Sequence, residues 1–139
     1  MIEIRPATRA DFEALIDDFC GVRADMITLQ MRFSKCYAIE DGRGLACAGG
    51  VFFDPVKRER IIWLHVARPA RARTLAEGCR RVIDAQPRDG RPLVAEVDPD
   101  NARDIRFMEW LGFRNAGRGS SAPGAPPILP AAFLRMERA

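Results

Sequence analysis

The chain has 139 residues, with 22 basic and 19 acidic side chains for a net charge of +3. Its 47% hydrophobic and 29% charged content is that of one globular domain, residues 1–139, large enough to bury a core without cross-links. No run approaches the roughly 18 apolar residues of a membrane helix, and no basic run with interleaved aromatics marks a nucleic-acid platform.

The N-terminal Met1–Pro6 carries an acid at position 3 and no apolar signal-peptide core, so a cytoplasmic protein without a membrane partner is the expectation. Residues 2–6 alternate and predict a first strand. Thr8 can cap the next helix by accepting a free backbone N–H, and Asp11 suits the positive end of its dipole. Phe12, Leu15, Ile16 and Phe19 form an apolar stripe at helical spacing, broken at Gly21. A second helix is predicted over about residues 22–33, carrying Met26, Ile27, Leu29, Gln30 and Phe33. Cys36–Glu40 reads as a second strand, Asp41–Gly44 as a hairpin turn, and Leu45–Phe53 as a third strand. Gly49 and Gly50 inside it mark a bulge or a close backbone approach.

Arg60–Ala67 predicts a fourth strand, apolar on both faces and therefore central. After Pro69 a helix runs to about Ala85, with Leu75, Cys79, Val82 and Ile83 toward the core. Pro92–Val97 is a fifth strand, and the Asp98-Pro99-Asp100 cluster stops it. The last helix starts at Asn101, a good cap, and lines up Ile105, Met108 and Leu111 on one face. Gly112 fits its left-handed end, and Phe113 starts a sixth strand. Residues 117–130 predict a loop and Phe133–Glu137 a last strand. Trp63 and Trp110 have the area of core anchors. The order β-α-α-β-β-β-α-β-α-β-β gives an α/β fold (α+β mixed), a central sheet of about seven strands with helices on both faces.

Cys20, Cys36, Cys47 and Cys79 form no CxxC pair and stand beside a single histidine, so no metal site is expected. Cys47 and Cys79 read as small buried hydrophobes. Asp98 suits the turn before the last helix, and the hairpin explains Glu40 and Asp41.

Three local features carry a resemblance that spans nearly the whole chain. Asn101 stands four residues after Val97 and eleven before Gly112, the last helix ends in Leu111-Gly112-Phe113, and the fourth strand leads through Val66 and Pro69 into a basic loop. Together they resemble the GCN5-related N-acetyltransferases. The resemblance implies a GNAT-like acyl-CoA N-acyltransferase fold, acetyl-CoA as co-substrate without a metal, and a small-molecule or peptide amine as acceptor; dimers are common for that fold. It places coenzyme A along Leu64 and Val66 and on the loop Arg71, Ala72, Arg73, Thr74, Leu75 and Ala76, with Asn101 as a further contact. A pyrophosphate needs free N–H groups at a helix start. Thr74 stands where the family has its first glycine. His65 and Glu96 are the candidate bases, and Met108 occupies the place of the family's tyrosine acid. The segment Gly117–Pro130 would wall the acceptor pocket. The competing readings are a catalytically degenerate member, phage-like, with a binding or structural role, and a weaker nucleic-acid surface of Arg68, Arg71, Arg73, Arg80 and Arg81.

Overall fold

The computed structural model describes residues 1–118 and 134–138. The elements are β1 (Glu3–Pro6), α1 (Arg9–Leu15), α2 (Gly21–Phe33), β2 (Ser34–Asp41), β3 (Gly44–Asp54), β4 (Glu59–Val66), α3 (Ala72–Asp84), β5 (Leu93–Val97), α4 (Ala102–Trp110), β6 (Arg114–Arg118) and β7 (Leu134–Arg138). They form one seven-stranded sheet in the order β1-β2-β3-β4-β5-β7-β6. Neighbours are antiparallel except β4 and β5, which run parallel at its centre.

Two cores cover its two faces. Ile39, Cys47, Leu93, Ala95, Val97 and Met136 pack with Leu75, Cys79 and Ile83 of α3 and with Met108 of α4. On the other face Phe12, Ile16 and Ile27 close over Ala38, Ala48 and Trp63. Cys47 and Cys79 are the buried apolar residues their patterns suggest.

Local chemistry places the helix ends. Thr8 begins α1 in a capping box with Asp11: its side chain faces the Asp11 N–H, and its hydroxyl also donates to the Asp11 carboxylate (3.2 Å). Asp11 reaches back to the Thr8 N–H (2.7 Å) and takes both forks of Arg5 (2.9 and 2.8 Å). The Arg5 guanidinium, then the Thr8 N–H, hold the Asp11 carboxyl at about 2 against the opposing cost of burial. A folded pKa below the unfolded value of 3.8 stabilises above that value and is lost as pH falls toward 2. The melting temperature should therefore drop from pH 4 to pH 2, and Asp11→Asn should melt lower at neutral pH with a shallower acid limb; a limb unchanged by the substitution would reject this origin.

At the other end of the chain, Gly112 adopts φ +96°, ending α4 in the left-handed turn expected of it. The strand after it starts at Arg114, so Phe113 precedes it as a buried residue. Trp110 corrects the expectation of a core anchor. It is 50% exposed, with the Arg80 guanidinium 3.9 Å from its ring centroid and a hydrogen bond from Arg80 to its carbonyl. Ile105, Met108 and Leu111 already fill the inner face of this segment, which leaves Trp110 outside. The last strand is Leu134–Arg138; Phe133 and most of the predicted loop 117–130 lie outside the described residues.

Candidate functional site

The site begins where the central pair of strands parts. β4 and β5 pair at Arg60–Leu93, Ile61–Val94 and Ile62–Ala95, then stop, although β5 continues to Val97 and β4 to Val66. The two strands open into a V. Leu64, 39% exposed, stands on β4 inside the unpaired stretch, with Val66 half-buried beyond it. Continuing the register one step would set Trp63 against Glu96.

Strand alternation fixes which face each candidate reaches. His65 lies on the α1/α2 face, with ring centroids of Phe12 at 6.2 Å and Trp63 at 6.0 Å. Burial, then the charge of Arg23, push its imidazole below the usual histidine value, so it is neutral at pH 7. Among the described residues its ring nitrogens make no hydrogen bond. Ala95 and Val97 belong to the α3/α4 core, which turns Glu96 to the α1/α2 face, where it is exposed. The structure thus brings His65 and Glu96 to the same face, on opposite sides of the V.

The mouth of the V leads to α3. Arg71 is its N-cap residue, and no side chain caps its free N–H groups. The side chains of this loop divide in a way local sequence does not show. Arg71 donates to Asp41 (2.9 Å) and to the Gly44 carbonyl (3.0 Å), and the Thr74 hydroxyl donates to the same Asp41 oxygen (2.6 Å). Asp41 also accepts the Arg43 N–H (2.8 Å), and these donors, Thr74 first, hold its carboxyl at about 2. The β2–β3 hairpin is therefore fastened to the start of α3. Leu75 is a core side chain, while Ala72 and Arg73 are exposed. Arg73, Asp41, Thr74, Glu77 and Arg81 line a hollow of about 430 Å³ with Met1 and Ile2.

Asn101 caps α4 as expected. Its side-chain oxygen accepts the Asp104 N–H (3.1 Å) and its amide donates to the Asp104 carboxylate (2.8 Å). Asp98 accepts the Asp100 N–H (2.9 Å), forming the turn before it. Met108 is buried beneath α4, where a proton donor would not meet solvent. Of the arginines considered for nucleic acid, Arg71 is held by Asp41, Arg80 by Trp110 and Arg81 by Glu77. Among the described residues no His, Cys, Asp or Glu cluster has the make-up of a metal site, and no helix is long and apolar enough to cross a membrane.

A mixed seven-stranded sheet whose parallel central strands part before an uncapped helix start is the architecture of the GCN5-related N-acetyltransferases, and this chain has that fold. It is similar to a GCN5-related N-acetyltransferase from Kribbella flavida (TM-score 0.71, 20% identity, 99% of this chain and 96% of that one). An IAA acetyltransferase from Bacillus cereus superposes with a TM-score of 0.72 at 12% identity, covering 99% of each chain. An acetyltransferase from Bacillus subtilis in complex with CoA gives 0.66 at 12% identity over 99% and 96%. No protein-family model matches the chain, and no curated protein matches it in sequence.

Proposed function

We propose that this protein transfers an acetyl group from acetyl-CoA to an amine. The observation that carries the reading is the V between β4 and β5, opening onto the uncapped start of α3. The chain's groups fit the co-substrate. The N–H groups of Ala72, Arg73 and Thr74 would hold its pyrophosphate, and Arg73 supplies the nearby charge that Arg71, tied to Asp41, does not. Leu64 and Val66 would line the pantetheine arm, with Ala76 on the first turns of α3 and Asn101 at the start of α4 flanking it. Acetyl-CoA supplies the acyl group as an activated thioester.

The neutral His65 takes the proton from the acceptor amine as its nitrogen attacks the thioester carbon. Glu96, across the V, attracts the amine in its cationic form. The C–S bond breaks and the thiolate draws its proton from solvent, because Met108 has none to give. The acid limb of the turnover profile should fall below pH 6.5, since burial and Arg23 lower the His65 pKa from that value. The acceptor is a small-molecule or peptide amine.

A second reading, a protein that keeps the fold and binds without catalysing, draws support from the buried Met108 and from the engagement of Arg71. One experiment separates them. At ~100 times the dissociation constant, CoA or acetyl-CoA should stabilise the protein by about 2.7 kcal/mol. Arg73→Ala should shrink that shift, whereas His65→Ala should leave it intact and lower turnover by roughly 10²-fold. No thermal shift at millimolar ligand rejects acetyl-CoA use; a shift without turnover on any amine favours the binding protein.

A further inference from the structure

Helix α2 is apolar on two opposite sides. Ala24 and Ile27 are buried against the sheet, with Met31 half-buried beside them. On the other side Val22, Met26, Leu29 and Phe33 follow one another at intervals of four, three and four residues, with exposures of 76%, 58%, 57% and 58%. At 100° per residue these four lie within an arc of about 60°, a seam rather than a scatter. A surface helix normally keeps one apolar stripe and turns polar residues outward. Nothing in the acyl-transfer reading uses the second stripe, and a contiguous exposed patch of this kind marks an interaction surface.

The residues flanking the seam identify what fits it. Asp25 and Arg32 lie along one edge, Arg23 and Gln30 along the other. Among the described residues, neither Asp25 nor Arg32 has an ion-pair partner; Arg32 rests over the neighbouring Phe33 ring at 5.8 Å. When the seam is packed on a second α2 running antiparallel, Met26 of one copy meets Leu29 of the other, and Val22 meets Phe33. The two-fold axis then sets Asp25 opposite Arg32 twice, both pairs along the same edge of the seam and one on either side of the axis. Parallel pairing would instead oppose Asp25 to Gln30 and give no ion pair. At these exposures the four side chains present on the order of 450 Å² per copy, so two copies bury about 900 Å² before their flanks are counted, close to the ~1,000 Å² of a specific interface.

We propose that the outer face of α2 is the interface of a homodimer, with the two α2 helices antiparallel and related by a two-fold axis. The Met26/Leu29 contact forms its centre, and the Asp25–Arg32 pairs fix its direction.

Sedimentation equilibrium of the full chain tests this. The wild type should show a concentration-dependent dimer in the micromolar to hundred-micromolar range. Met26→Glu and Leu29→Glu should each give a monomer with an unchanged far-ultraviolet spectrum. The charge reversals supply a test that leaves the seam intact. Asp25→Arg and Arg32→Asp should each raise the dissociation constant about fivefold or more, because two pairs turn repulsive at once, and the double reversal should restore it. A wild type that stays monomeric at hundreds of micromolar would overturn the proposal and leave the face to another occupant. A dimer indifferent to Met26→Glu would overturn it as well, by placing the interface elsewhere. A dimer that loses affinity in both single reversals without recovery in the double would refute the antiparallel pairing.

Discussion

Gly49→Ala is expected to cost about 3 kcal/mol or more of stability, the overpacking range carried to its upper end. A Cβ at Gly49 would lie 2.0 Å from the Trp63 carbonyl oxygen, and 3.0 Å from the Trp63 carbonyl carbon and the Leu64 Cα. All three are backbone atoms of β4, so no rotamer change relieves the clash. Trp63 is also the first β4 residue beyond Ile62, where pairing with β5 ends. Glycine at 49 thus lets β4 press toward β3 at the level where it leaves β5. An added methyl would push it back into the V. Two controls frame the result. At Gly50 a Cβ would meet the Trp63 ring at 2.9 Å and the Ser34 Cβ at 3.0 Å, contacts that side chains can partly relax, so Gly50→Ala should cost less. Gly42 has nothing within 4 Å, and Gly42→Ala should be nearly neutral. Thermal melts of the three variants should rank in that order, with the acetyl-CoA-induced shift most reduced at position 49. A Gly49→Ala protein as stable as the wild type would show that β4 does not depend on this approach.

The sequence signals that proved accurate are those whose cause lies within a few residues. Asn101 caps a helix because its own side chain reaches the Asp104 N–H, and Gly112 ends it because φ +96° favours glycine. The Gly49-Gly50 pair announces a close backbone approach, and the structure shows one; the register shift of the β2–β3 pair falls elsewhere on β3, where Ala46 is the extra residue opposite Ile39 and Glu40. The features that escaped are built from distant partners. Asp41 has the look of a turn residue, and it does cap its own hairpin. Its larger task, fastening Arg71 and Thr74, depends on contacts 30 and 33 residues away. Trp110 has the area of a core residue, but Ile105, Met108 and Leu111 leave it no room, and Arg80 supplies the partner. At the candidate site, alternation alone gives Glu96 its face. That His65 shares it follows only once Phe12 and Trp63 are seen beside the imidazole.

The same reasoning gives a second large effect at the closed end of the V. Glu59, at the start of β4, is 4% exposed and takes both forks of Arg135 from β7, reaching across β5. Arg135 also donates to Glu137 (2.7 Å). These carboxylates hold its guanidinium firmly charged, with Glu59 the larger contributor. The ion pair runs diagonally over β5, from Arg135, level with Glu96 where β4 and β5 have parted, to Glu59 just before their first paired residues, so it ties β7 to the base of an opening whose other end Gly49 allows to spread. Replacing one partner of such a pair leaves the other charge buried and unpaired, which costs about 3–5 kcal/mol. Arg135→Met should therefore lower the melting temperature by roughly 10–15 °C in a chain of this size. Because the loss comes from the stranded Glu59 carboxylate and not from missing side-chain volume, Glu59→Gln added to Arg135→Met should recover most of it. If the double variant melts no higher than Arg135→Met alone, the contribution lies in the packing of Arg135 and not in its charge. The acetyl-CoA response separates clamp from support: in the double variant, restored stability with a weakened ligand shift would show that the pair also sets the angle at which β4 and β5 part.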